Sequence, residues 1–176
     1  MNPNPSTEPS AEPPAREQFV EQAMVDYESP LIAYATTILN DPDLARDVVQ
    51  DTFIRLCHQD PAKVRDHLKS WLFTVCRNRA LDLLRKDQRI KAIDENRWRN
   101  VPDPGLQPDD RAETDDRLDH LMKLLDRLSS NQRDVIILKF QQGLSYQEIH
   151  DITGLSSGNI GFLIHTGIKH LRSLLR

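Results

Sequence analysis

Ser129–Leu171, SSNQRDVIILKFQQGLSYQEIHDITGLSSGNIGFLIHTGIKHL, decides the fold of the C-terminal part of this chain. Ser129 with Gln132 three residues on is a capping-box start, and Val135, Ile136, Leu138 and Phe140 follow as an expected buried stripe that Gly143 ends. Ser145 with Glu148 repeats the device, opening a short helix expected to bury Ile149 and Ile152 before Gly154 closes it. Leu155-Ser156 then leads into a longer helix carrying Ile160, Leu163, Ile164, Ile168 and Leu171 at helical spacing. Short helix, glycine turn, longer helix is the helix-turn-helix pattern, whose second helix can enter a major groove. Ser156, Ser157, Asn159, Phe162, His165 and Lys169 are the candidate DNA contacts there, with Arg172 beyond them. A protein-interaction bundle is the alternative. Phe162 stays open between an apolar contact to a thymine methyl and simple packing. Gly161 and Gly167 each weaken the helix by about 1 kcal/mol relative to Ala.

Upstream, Leu118, Leu121, Met122, Leu125 and Leu128 extend the helical signal. Before them, NVPDPGLQPDDRAETDD (100–116) holds three prolines, one glycine and six acidic residues with no periodic hydrophobics, so it reads as a linker. The N-terminal part is a second helical bundle. Phe19, Val20, Ala23, Met24 and Tyr27 share a face, Ser29-Pro30 is expected to restart the chain, and Leu31, Tyr34, Ala35, Ile38 and Leu39 continue it. Asn40-Asp41-Pro42-Asp43 is a helix start, followed by Leu44, Ala45, Val48, Val49, Phe53 and Leu56 as an expected buried set. Residues 64–86 carry Val64, Leu68, Trp71, Leu72, Val75, Cys76, Ala80, Leu83 and Leu84 at i, i+3, i+4 intervals. The expected fold is all-α: two small helical bundles joined by an acidic linker, with a disordered tail over 1–16, a first domain over 17–99, the linker over 100–116 and a second domain over 117–176.

Charge is segregated along the chain. Residues 1–60 hold 3 basic against 11 acidic side chains, and residues 61–99 reverse this with 11 against 5. Residues 100–128 are acidic again, 4 against 8, and residues 129–176 mildly basic, 5 against 3. A chain binding only nucleic acid has no need of the acidic blocks, whereas one that holds both a protein and DNA can use each sign separately. Basic residues interleave with aromatics in KVRDHLKSWLFTVCRNRALDLLRK (63–86). Trp71 and Phe73, two apart, cannot share a face. With Trp71 as the core anchor, Phe73 is expected towards solvent beside Lys69, Arg77 and Asn78, a surface suited to stacking and neutralising unpaired bases.

Other function classes find little support. No apolar run approaches the roughly 20 residues that span a bilayer, so no membrane segment is expected. The tail, with five prolines, lacks the basic and apolar regions of a secretory signal. Cys57 and Cys76 suit a reducing cytoplasm and buried packing rather than a zinc site. No nucleophile-base pair, phosphate loop or metal-ligand spacing points to an enzyme or to a cofactor.

DLARDVVQDTFIRL (Asp43–Leu56), LKSWLFTVCRNRALDLLRK (Leu68–Lys86) and LDRLSSNQRDVIILKFQQGLSYQEIHDITGLSSGNIGFLIH (Leu125–His165) together resemble the conserved blocks of extracytoplasmic-function sigma factors of the sigma-70 superfamily. The resemblance covers about Phe19 to Leu175 and implies a sigma-2 domain followed directly by a sigma-4 domain. It implies a cytoplasmic promoter-specificity subunit of bacterial RNA polymerase, monomeric when free, with core polymerase, promoter DNA and an anti-sigma factor as partners. Asp47, Gln50, Asp51 and Arg55 match the positions that dock on the β′ clamp helices. Lys69, Phe73, Arg77, Asn78 and Arg85 fall in the block that meets and melts the minus-10 element. The sigma-4 domain sits on the β flap and reads the minus-35 element, and the acidic linker threads the channel later taken by RNA. One departure stands out: Ser156–Ile168 has no Lys or Arg, and His150 replaces the usual small alanine. A sigma-like decoy that binds only an anti-sigma factor is the alternative reading.

Overall fold

A computed structural model of the protein describes residues 13–97 and 123–175, with side chains over 15–87 and 123–175. The expected linker, most of the expected tail, and Leu118, Leu121 and Met122 lie outside the described residues. Within them the regular structure is helical: α1 (Pro13–Leu39), α2 (Pro42–Cys57), α3 (Pro61–Val64) with a 3₁₀ turn Arg65–His67, α4 (Leu68–Arg97), α5 (Ser130–Ile136) with a π turn Ile137–Gln141, α6 (Tyr146–Thr153) and α7 (Ser157–Leu174). Two compact units, residues 1–80 and 81–176, divide within α4.

In the first unit, α1 starts ahead of the expected residue 17 and runs unbroken through Pro30, against the expected restart. An interior proline costs a helix about 3 kcal/mol, through the lost N–H and a clash with the carbonyl four residues back. Burial immediately beyond it offsets that cost: Leu31, Tyr34 and Ala35 are fully buried, and α1 packs along α2. The chain then turns at Asn40 in the left-handed region (φ 54°), a conformation asparagine tolerates better than most residues. Asp41 caps α2 by accepting from the backbone N–H groups of Asp43 and Leu44, with Pro42 in the first turn. Ala45, Val48, Val49, Thr52, Phe53 and Leu56 form the buried face of α2, while Leu44, expected inside, is exposed.

α4 corrects the largest expectation of the first unit. Its buried stripe is Leu72, Phe73, Cys76 and Ala80, and Trp71 is half-buried. Phe73 therefore faces the core and cannot stack on a base. The stripe is rotated from the expected one because Tyr34, fully buried on α1, offers Phe73 an aromatic partner: the rings sit 5.3 Å apart at 55°. Desolvation pushes the Cys76 thiol up to about 12, against a smaller opposing effect of its hydrogen bond with Thr52. It is a neutral packing residue. Cys57, by contrast, is exposed.

In the second unit both capping boxes form as read, Ser129 with Gln132 and Ser145 with Glu148. Gly143 (φ 67°) and Gly154 (φ 73°) take the left-handed turns that end their segments. Phe140 departs from its expected burial and is 63% exposed. The π turn is the reason: the Gln142 N–H reaches back five residues to the Ile137 carbonyl (3.1 Å), which widens the turn and lessens the rotation per residue, so that Ile137 and Leu138 go inside and Phe140 falls outside. Val135, Ile136, Leu144, Ile149, Ile152, Ile160 and Ile164 complete the core. Gly167, unlike Gly161, has a packing role: a Cβ there would stand 2.6 Å from Ile136 Cδ1 and 3.4 Å from Gln132 Cβ, so its bareness lets α7 lie close on α5.

Candidate binding surfaces

On α2, Asp47, Gln50 and Arg55 are exposed while Val48, Val49 and Phe53 are buried. Asp51 is not free in the same way. Its carboxylate accepts from Arg79 Nε at 3.0 Å and ties α2 to α4. Both partners are partly exposed, so the pair is worth at most about 1 kcal/mol, and its clearer effect is to fix the direction of Asp51. The structure adds what the sequence reading missed, a groove in which Arg46, Asp47 and Gln50 of α2 face Met24, Glu28 and Ile32 of α1. Met24, expected on an apolar face, is 38% exposed at this groove. The signal was an apolar stripe on α1 longer than the core could cover.

On α4 the candidate set separates. Trp71, Asn78 and Arg85 stand seven residues apart, two helical turns each, and so share one face. Asn78 and Arg85 are exposed, and Arg85 holds Asp82 at 3.2 Å in a solvent-screened pair. Arg77 flanks this face, half-buried. Lys69 is two residues from Trp71, a rotation of roughly 200°, and lies with Phe73 on the other side, its stem half-buried. The aromatic beside these polar groups is thus the half-buried Trp71, expected from its spacing to be the core anchor.

On α7, Ile160, Ile164 and Gly167 face inward. Gly158, Phe162, His165, Lys169 and Arg172, spaced by four, three, four and three residues, make one exposed outer ridge. Ser157 and Asn159 flank its start, also exposed. Ser156 is first of all the cap of α7, its hydroxyl accepting the Asn159 N–H at 3.3 Å. Phe162 is 65% exposed, which excludes packing within this unit. The turn before α7 is fastened by His150, whose Nδ1 lies 2.8 Å from the Leu155 carbonyl; since a carbonyl only accepts, the ring nitrogen donates. That bond is what the histidine supplies where an alanine could not. Thr166 braces the other side, accepting from Gln132 Nε2 of α5 at 3.1 Å.

Among the described residues no group of three or more His, Cys, Asp or Glu side chains could hold a metal ion, and no helix is long and apolar enough to cross a membrane.

Comparison with known proteins matches these two regions in order. The family Sigma-70 region 2 matches residues 24–90, and Sigma-70, region 4 matches residues 118–171. The ECF RNA polymerase sigma factor SigX of Bacillus subtilis is 30% identical over 151 residues, covering 83% of this chain and 78% of that protein. The ECF RNA polymerase sigma factor SigL of Mycobacterium tuberculosis is 28% identical over 166 residues, covering 92% of each. Among solved structures, the sigma factor RpoE of Bartonella quintana, crystallised with the anti-sigma factor NepR, superposes with a TM-score of 0.65 at 28% identity, covering 88% of this chain and 95% of that one.

Proposed function

The chain belongs to the extracytoplasmic-function family of RNA polymerase sigma factors, and from that premise we propose a division of labour between its surfaces. It confers promoter specificity on bacterial RNA polymerase and promotes initiation at a dedicated set of promoters. Its partners are core polymerase, promoter DNA and an anti-sigma factor. Its work is done in the cytoplasm, where polymerase acts, and it contributes binding rather than chemistry.

The observation that carries the assignment is the order of two matched regions, each with an exposed polar surface opposite a closed core. Residues 17–99 serve as the sigma-2 domain, 100–116 as the linker and 117–176 as the sigma-4 domain. The groove between α1 and α2 receives the β′ clamp helices, with Asp47 and Gln50 as polar contacts and Met24 as an apolar one. Arg55 is an exposed contact of α2 outside the groove lining, and Asp51 acts through its tie to Arg79. The α4 face of Trp71, Asn78 and Arg85, flanked by Arg77, takes unpaired minus-10 bases, since stacking and phosphate charge are what a single strand offers. The outer ridge of α7 faces the minus-35 duplex while other parts of the sigma-4 domain hold the β flap. The structural relative crystallised with an anti-sigma factor fits this reading equally with the decoy alternative and does not favour the latter.

The test of the docking surface is direct titration of labelled chain with core polymerase. Asp47→Ala with Gln50→Ala is expected to weaken binding by about 10-fold to 100-fold, as for polar contacts partly desolvated at an interface. Unchanged affinity would remove the groove from the docking surface.

A further inference from the structure

We propose that Phe162 is the specificity-determining residue of the recognition helix, reading thymine methyl groups in the minus-35 element in place of cationic contacts to guanine. This rests on the promoter-reading role of α7 given above and adds to it the chemistry of the readout.

Three observations converge on it. Phe162 projects from the outer ridge of the second helix of a helix-turn-helix and is 65% exposed, an arrangement that leaves a large apolar ring in water. The ring has hydrogen-bonding and cationic neighbours rather than apolar ones: Asn159 and His165 beside it, Lys169 and Arg172 further along the ridge. From Ser156 to Arg172 there is no acidic side chain, so nothing on the ridge repels a polyanion, and Lys169 and Arg172 attract one at its far end. Position separates the roles. Arg and Lys, the side chains that commonly pair with guanine, are absent from Ser156–Ile168, and the cations Lys169 and Arg172 stand about two to three turns beyond Phe162, placed to meet phosphates. Base edges therefore meet Asn159, Phe162 and His165.

The bare ridge position Gly158, one turn before Phe162, has open space where a Cβ would stand. Without a side chain there the helix can settle deeper, bringing the ring to the groove floor. In the major groove only thymine shows a methyl group, and its partner adenine shows the N6 and N7 pattern that a carboxamide can take bidentately. Phe162 and Asn159, three residues apart on adjoining positions of the helix, can read the two halves of one A·T pair or of neighbouring pairs.

The probe is a pool of duplexes with a randomised block upstream of a fixed minus-10 region, selected on holoenzyme reconstituted from the full chain and core polymerase. Selected duplexes are then resynthesised with deoxyuridine for thymidine, which deletes the methyl and leaves the hydrogen-bonding pattern intact. Wild-type holoenzyme is expected to lose about fourfold in affinity for each contacted methyl removed, the size of burying one methyl-sized group. Phe162→Ala, at an exposed position and checked for unchanged helicity by circular dichroism, is expected to bind the thymidine duplex more weakly and no longer to distinguish it from the deoxyuridine one. Equal responses of wild type and Phe162→Ala to the substitution would overturn the proposal while leaving the sigma assignment intact. Failure of holoenzyme to enrich any upstream sequence would overturn both. A Phe162→Ala change that abolishes self-association in sedimentation while sparing methyl discrimination would assign the ring to a second copy of the chain and overturn it as well.

Discussion

The two glycines of the recognition helix look alike in sequence and differ in surroundings. At Gly161 a Cβ would meet only the Tyr146 ring, at 3.7 Å, an ordinary contact. Gly161→Ala should therefore raise stability by up to about 1 kcal/mol, the helix-propensity difference. At Gly167 the same change drives a methyl into Ile136 and should cost about 1–3 kcal/mol of overpacking. Urea unfolding of both variants checks the signs, and Gly167→Ala made in an Ile136→Val background should recover part of the cost, because the clashing Cδ1 is gone. Additive effects would mean the close approach is not what Gly167 provides. Propensity was legible in the sequence. The opposite sign at Gly167 was not, because it depends on a residue thirty-one positions away.

At the scale of elements, the parts read correctly were those written in local chemistry. Both capping boxes, the Asp41 cap and the two left-handed glycines depend on side chains within three or four residues of the backbone groups they serve. What failed was rotation and continuity. α1 ran through Pro30, the π turn expelled Phe140, and α4 turned Phe73 rather than Trp71 inward; each outcome is set by a neighbouring helix or by a change of helical pitch, which periodicity alone does not report. The α4 correction reverses a functional expectation and can be checked. Phe73→Ala should lower stability by about 3–5 kcal/mol, as for a buried aromatic. Trp71→Ala should cost less stability and instead reduce permanganate reactivity of minus-10 thymines, with polymerase association intact. Normal opening by Trp71→Ala would place the single-strand face elsewhere on the helix.

For the whole molecule, the alternation of acidic and basic blocks was the earliest sign of two kinds of partner, and the structure locates two of the blocks on definite surfaces. The acidic N-terminal block contributes Glu28, Asp47 and Asp51 at or beside the α1–α2 groove, and the basic block that follows contributes Arg77 and Arg85 to α4. Order along the chain was legible because three motifs fixed it. The α1 half of the groove was not, because only packing brings Met24 and Ile32 opposite Gln50. Run-off transcription in vitro decides whether this chain starts transcription or merely resembles chains that do. Core polymerase with and without the chain is given a pool of bacterial DNA fragments, and the 5′ ends of the transcripts are sequenced. Transcripts are expected that appear only with the chain, start at discrete positions, and share one upstream and one downstream element at fixed separation. A chain that binds core polymerase or an anti-sigma factor yet yields no transcripts beyond those of core alone would contradict that expectation and leave the decoy reading standing.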